Sequence, residues 1–169
     1  MARMPEARSL AVWRRRAIER MSRSRAATLA LLDRLPEGAL LTARTQGDWS
    51  IKDVLVHIAA WEEEGRRRLA LIARGRGHRI VWYDTMAEAD RFNTRAVQAA
   101  RKAGLPAVRR RLARARAGLI RTLKRLPPRA LADPTHDLPV TRWLREFAWT
   151  HERAHRRDIR EWWRTARGR

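Results

Sequence analysis

The run His151-Glu152-Arg153-Ala154-His155 sets two imidazoles four residues apart. On an α-helix, positions i and i+4 lie one above the other, so both rings can reach a single ion. The face they share is also the apolar one, which continues through Leu144, Phe147, Ala148, Ile159 and Trp162. One buried histidine is usually satisfied by a hydrogen bond, but two stacked on an inward face pose a harder problem. Protonated, they repel each other, and a metal ion removes the conflict by requiring both to be neutral. The run also has the His-Glu-x-x-His spacing of the zinc-protease helix. The usual fold context of those proteases is missing, and another third ligand is on offer.

That ligand is His57, which borders an apolar stripe beside Ile58, with Trp61 one turn on. Alone it reads as an ordinary helix residue; with the pair it completes a three-imidazole site with positions open to water or substrate. The chain has no cysteine, so thiolate sites, disulfides and a cysteine nucleophile are excluded, and His, Asp and Glu remain as strong ligands. Such a set suits zinc, nickel or iron(II) rather than calcium or magnesium. Asp53 near His57, and Asp158 about one turn beyond His155, are placed to orient an imidazole from outside. A surface salt bridge with a neighbouring arginine is the competing role for both. Trp61, Trp82 and Tyr83 are candidate walls of a substrate pocket, although Trp61 also reads as core. His78 and His136 fall in loops and suggest no specific role.

The elements that must position these residues are helices, because strand-type alternation is almost absent. A first helix is expected from about 9 to 35, with Leu10, Trp13, Ala17, Met21, Thr28, Leu31 and Leu35 at helical spacing until Pro36 and Gly38 end it. A loop follows up to Trp49. The second helix has the clearest start: Ser50 can cap the first turn, and Asp53 sits three residues on. Ile51, Val54, Leu55, Ile58, Trp61, Gly65, Leu69 and Ile72 form its buried stripe, and Gly75-Arg76-Gly77 stops it. Residues 78–84 read as a crossover loop. A third helical unit runs from about 85 to 126, broken near Gly104 and Pro106 because proline suits a first turn better than an interior. After Pro127-Pro128 and a loop, the last helix is expected over about 140–165, with Trp162-Trp163 packing the bundle end or a dimer face. No repeat or linker appears, so the whole chain, 1–169, reads as one all-α domain of four main helices.

The formal net charge of +21 invites a nucleic-acid reading. The excess is spread along the chain, however. Arg14-Arg15-Arg16, Arg66-Arg67-Arg68, Arg109-Arg110-Arg111 and Arg156-Arg157 all fall inside helical patterns, on what would be outer faces. No helix-turn-helix, zinc-finger or RNA-binding signature accompanies them. Weak, nonspecific, salt-sensitive binding to polyanions is the expectation. No apolar run is long enough to span a bilayer and no secretory leader opens the chain, which points to the cytoplasm.

The segment Trp49-Ser50-Ile51-Lys52-Asp53-Val54-Leu55-Val56-His57-Ile58-Ala59-Ala60-Trp61-Glu62 resembles the signature of the DinB-like superfamily, which includes YfiT-type and ClbS/DfsB-type proteins. Phe92-Asn93 resembles another of its recurring features. Trp149-Thr150-His151 through His155, and then Asp158-Ile159-Arg160-Glu161-Trp162, is similar to its last helix. The resemblance runs in order from residue 9 to 165. It implies an up-down four-helix bundle with a long crossover between helices 2 and 3, often dimeric. One divalent ion would be held by His57, His151 and His155, with Asn93 near the site. It further implies a small-molecule substrate: relatives include thiol-dependent transferases and isomerases using bacillithiol, mycothiol or glutathione, and ClbS-type proteins that disarm an electrophilic genotoxin. A metal-dependent enzyme acting on a small electrophile, by thiol transfer or hydrolysis, is the leading expectation. A non-catalytic binding or protective protein of the same fold is the alternative. With no Cys in the chain, any thiol must arrive as a small molecule.

Overall fold

A computed structural model describes residues 4–132 and 138–167, and the described residues are helical apart from turns and loops. The helices are α1 (Met4–Leu32), α2 (Glu37–Leu41), α3 (Ile51–Ala73), α4 (Met86–Ala99), α5 (Leu105–Arg125), α6 (Val140–Phe147) and α7 (Trp149–Ala166). Short 3-10 turns lie at Gly77–Arg79 and Pro128–Ala132. Helix α3 packs chiefly against α5 and α1 against α7, while α4 and α6 also lean on α3. No helix is long and apolar enough to cross a membrane among the described residues.

Local chemistry sets the helix boundaries. Ser50 and Asp53 form a reciprocal capping box at the start of α3: the Asp53 amide donates to Ser50 Oγ at 3.2 Å, and the Ser50 amide donates to Asp53 Oδ2 at 3.0 Å. At the far end Gly75 takes a positive φ of 66°. The Gly75 amide then donates to Ile72 O at 3.0 Å and the Arg76 amide to Leu71 O at 2.8 Å, the paired bonds of a Schellman end. Thr85 and Glu88 form the equivalent capping box for α4.

Four boundaries differ from the periodicity. Helix α1 begins at Met4, ahead of the expected start near residue 9. It ends at Leu32, three residues short of Leu35. The Arg34 and Leu35 amides donate to Leu31 O and Leu32 O in tight turns, and Leu35, directly ahead of Pro36, is disfavoured in the helical region. The expected loop then contains α2, a short helix that buries Ala39 and Leu40. The last helix, expected unbroken, is interrupted at Ala148 (φ −122°, ψ −98°). No glycine or proline stands there; the bend coincides with the buried Ala148, whose neighbours Phe147 and Trp149 are half-buried and packed against the same core cluster.

The apolar core divides into two clusters. One contains Met21, Leu69, Leu119, Leu123, Leu144 and Ala148; the other contains Leu32, Val54, Leu55, Ile58, Leu112 and Ile159. Along α1, α3, α5 and α7 the residues that separate the clusters are polar: Arg25, Glu62, Arg116 and Glu152. A charged layer therefore crosses the middle of the core.

Not every arginine lies on an outer face. Arg68 is 1% exposed, and Arg14, Arg111 and Arg156 are half-buried. Arg14 donates to Leu126 O at 2.7 Å, and Arg156 donates to Ser24 O at 3.0 Å and Thr28 Oγ1 at 3.1 Å. Guanidinium groups near backbone carbonyls and helix ends find acceptors that the hydropathy pattern does not reveal.

Candidate metal centre

His57 lies in α3, seven residues beyond the Ser50 cap, while His151 and His155 stack one turn apart on α7. The three side chains converge. His57 Nε2 is 2.8 Å from His151 Nε2, and His155 Nε2 is 3.0 Å from the same atom. One ligand nitrogen from each ring lies within 4.8 Å of the others, a cluster able to hold one metal ion. Trp49 packs on His57 at 5.0 Å between ring centroids, and Trp61 meets the His57 and His151 rings edge-on at 6.4 and 6.5 Å.

The donor set fits a cation on two grounds. An imidazole nitrogen carries either one proton or one in-plane lone pair. His151 Nε2 therefore cannot make a good hydrogen bond to both neighbours, whereas a shared cation would accept all three lone pairs. Burial supplies the second ground. It pushes His57 down from 6.5 to about 3, helped by the charge of His155 and opposed by the Asn93 side chain. Burial likewise lowers His151 to about 2, with His155 and His57 adding to the shift. His155 is also lowered by burial, against the pull of Asp158. Neutral imidazoles are the ligating form, so the cluster needs no deprotonation near neutral pH. The Nδ1 atoms of His57 and His151 are buried and have no hydrogen-bond partner among the described residues.

A groove of about 470 Å³ opens beside His155, bordered by Gln46, Trp49, Asp158, Glu161 and Trp162. Its lining carries two carboxylates and no Lys or Arg, in a chain with 39 basic residues. Of the three imidazoles, His155 alone is among the groove's lining residues.

The other candidate residues divide. Asn93 accepts a 2.9 Å hydrogen bond from the Trp61 indole, fixing that ring beside the imidazoles. Asp158 pairs with Arg157 at 3.1 Å on the surface and acts on His155 only through its charge. Asp53 is spent on the α3 cap: Oδ2 takes both the amide and the hydroxyl of Ser50. It does not orient His57, because a helix-start carboxylate bonds first to the free amides beside it. Trp82 and Tyr83 wall a cavity together with Trp61, and no imidazole lines it. The Trp162 and Trp163 rings lie 5.9 Å apart, and both pack against the second core cluster. His78 is exposed in a 3-10 turn, and His136 lies outside the described residues.

The periodicity missed a group of four charges. Arg25 donates to Glu152 Oε1 at 2.6 Å and to Glu62 Oε1 at 2.7 Å. Arg116 reaches Glu62 Oε1 at 2.5 Å and Glu152 Oε2 at 2.9 Å, and also donates to Met21 O. All four residues are buried. Burial raises the Glu62 carboxyl despite Arg116 and Arg25, and its Oε2 has no partner among the described residues. At Glu152 burial acts in the same direction but is outweighed by Arg116 and Arg25, so that carboxyl is lowered. Both Glu152 oxygens are held by arginine, so the glutamate of the His-Glu-x-x-His run is no general base at the cluster. The signal was present in the sequence, since each of the four occupies a slot in an apolar stripe: 21-25-28-32, 58-62-65-69, 112-116-119 and 148-152-155-159.

No curated protein and no solved structure matches the chain. Residues 20–159 match the model of the DinB superfamily. That span carries the three clustered imidazoles and the four residues of the charged layer, and the chain belongs to the DinB superfamily.

Proposed function

We propose that the protein is a metal-dependent enzyme acting on a small electrophilic substrate, by thiol transfer or hydrolysis. His57, His151 and His155 would hold one divalent ion, with zinc, nickel and iron(II) as the candidates. The observation that carries this reading is the convergence of three neutral ring nitrogens beside an open groove. When bound, such an ion supplies Lewis acidity that lowers the pKa of a water or thiol. The chain's residues supply the rest. Trp49 and Trp61 fix the imidazoles and shield them from water. The groove at His155 admits the nucleophile and substrate, and its carboxylates Asp158 and Glu161 favour cations and repel competing anions. A thiol, if used, comes from solution, because the chain has no cysteine.

The proposal includes a single-domain, up-down four-helix bundle with α1, α3, α4–α5 and α6–α7 as its legs and residues 74–85 as the long crossover. The pairing of α3 with α5 and of α1 with α7 supports it. A cytoplasmic homodimer with weak polyanion binding completes the reading; the net charge of +21 supports the last element. A binding or protective protein of the same fold is the second reading, favoured by an aromatic cavity that no imidazole lines.

The test is elemental analysis of protein purified without chelators, followed by assay with bacillithiol, mycothiol, glutathione or water against 1-chloro-2,4-dinitrobenzene and ester substrates. The enzyme reading expects about one ion per chain, turnover lost on chelation, and both lost in His155→Ala. Stoichiometric ion without turnover favours the binding reading, and wild-type protein without ion overturns the metal centre.

A further inference from the structure

Behind Trp61, on the side of α6, lies a cavity of about 520 Å³ walled by Trp61, Arg68, Trp82, Tyr83, Trp143 and Phe147. Its size falls within the usual range of small-molecule sites, about 300–1,000 Å³. Aromatic rings dominate the wall, and they meet edge to face: Trp82 and Trp143 at 5.9 Å, Trp61 and Phe147 at 5.0 Å, Trp143 and Phe147 at 5.3 Å. A planar apolar molecule matches such a lining.

The charge of the wall is positive. Arg68 is 1% exposed, and its guanidinium lies 4.2 Å from the Trp82 ring and 4.6 Å from the Phe147 ring. Its carboxylate partner is Glu64, at 2.8 Å. Glu64 is shared, since Arg67 takes both its oxygens at 2.7 and 2.8 Å. One carboxylate therefore serves two guanidinium groups. On α6, Arg145 pairs with Glu146 at 2.7 Å, whereas Arg142 makes no ion pair among the described residues. Both arginines line the cavity. A third observation comes from Trp143, which is 3% exposed and whose buried indole N–H has no acceptor among the described residues. Buried donors in native proteins nearly always have a partner, and Trp143 is one of the residues that line the cavity.

We propose that this cavity binds a small aromatic carboxylate, its ring among the tryptophans and its acid group meeting Arg142 and the excess positive charge of the Arg67–Glu64–Arg68 set. Rings without an acid leave the cationic wall unpaired, and an acid without a ring leaves the aromatic wall wet. The site is separate from the imidazole cluster. Trp61 is shared by the two, so a ligand here sits one ring away from His57 and His151, and its binding does not depend on the metal centre.

The full-length chain is titrated by calorimetry at physiological salt with three probes of one ring: 2-naphthoate, 2-naphthylmethanol and 2-naphthylmethylammonium. The titrations are run on metal-loaded and on chelator-treated protein. Naphthoate is expected to bind at one site per chain with or without metal, and about tenfold more tightly than the alcohol or the cation, the value of one charge-assisted hydrogen bond. Arg142→Ala weakens naphthoate by a similar factor, and Trp143→Phe, which keeps a ring and removes the donor, weakens it less. Arg110→Ala, an exposed arginine on α5, changes nothing. Equal losses in Arg142→Ala and Arg110→Ala would reduce the effect to the general positive charge of the chain and overturn the proposal. Equal binding of acid and alcohol would do the same. Binding that vanishes on chelation would place the ligand at the metal centre instead.

Discussion

Glu152 and Arg25 are joined by a 2.6 Å ion pair inside the core, one residue along α7 from His151. Neighbouring positions on a helix face about 100° apart, so one side of α7 carries the imidazoles and the next carries the charged layer. The layer ties α1, α3, α5 and α7 together through two arginines and two glutamates. Removing one member leaves its partners buried and uncompensated, which costs about 3–5 kcal/mol. Glu152→Gln is therefore expected to lower the urea unfolding free energy by that amount, while the folded fraction keeps its metal. If Glu152→Gln folded normally and lost only turnover, the glutamate would be a catalytic base after all.

Metal binding should appear as stability. A ligand that binds only the folded state stabilises it by about 2.7 kcal/mol at a hundredfold excess over Kd. Added zinc or nickel is expected to raise the Tm of chelator-treated wild-type protein and to leave His57→Ala and His155→Ala unmoved. A rise in the variants equal to that of wild type would mean that the ion binds elsewhere, with surface carboxylates as the first suspects.

The parts of this site differed in how far they could be read ahead of the structure. The His151–His155 pair rests on helical spacing alone, and Ser50 with Asp53 marked the start of α3 within a residue. His57 needed the family resemblance, because nothing local says which of three long helices α7 will meet. The charged layer was hidden for a physical reason. Hydrophobic periodicity treats an arginine within a stripe as noise, yet Arg25, Glu62, Arg116 and Glu152 are compatible with burial only as a set with no net charge. The bend at Ala148 was equally hidden, since no helix-breaking residue marks it.

The lowered histidines give the metal-free protein a defined acid sensitivity. His57 and His151 sit near about 3 and about 2 when folded, against 6.5 when unfolded. Below 6.5 the unfolded chain binds protons that the folded chain refuses, so stability is full above that value. It falls as the pH drops from 6.5 toward about 3, by about 1.4 kcal/mol per pH unit for each imidazole. Urea midpoints of chelator-treated wild type should decline between about pH 7 and about pH 5. His151→Leu should decline less steeply, having lost one of these groups. Parallel declines would mean that His151 is protonated in the folded state.

Asp53 and Asp158 looked equivalent as outer supports of the imidazoles, and the structure separates them. Asp53 Oδ2 takes the Ser50 hydroxyl at 2.7 Å and its amide at 3.0 Å, so Asp53→Ala removes half of a capping box. The expected cost is about 0.5–2 kcal/mol of stability, with ion content and metal affinity unchanged. Asp158 is paired with Arg157 on the surface and raises His155 through its charge. Asp158→Asn should therefore leave stability nearly unchanged, because exposed pairs contribute little. It should instead weaken metal binding, since a negative charge beside the groove also stabilises a cation. Paired measurements of Tm and metal Kd on the two variants check both assignments. The opposite pattern, affinity lost in Asp53→Ala and stability lost in Asp158→Asn, would exchange their roles.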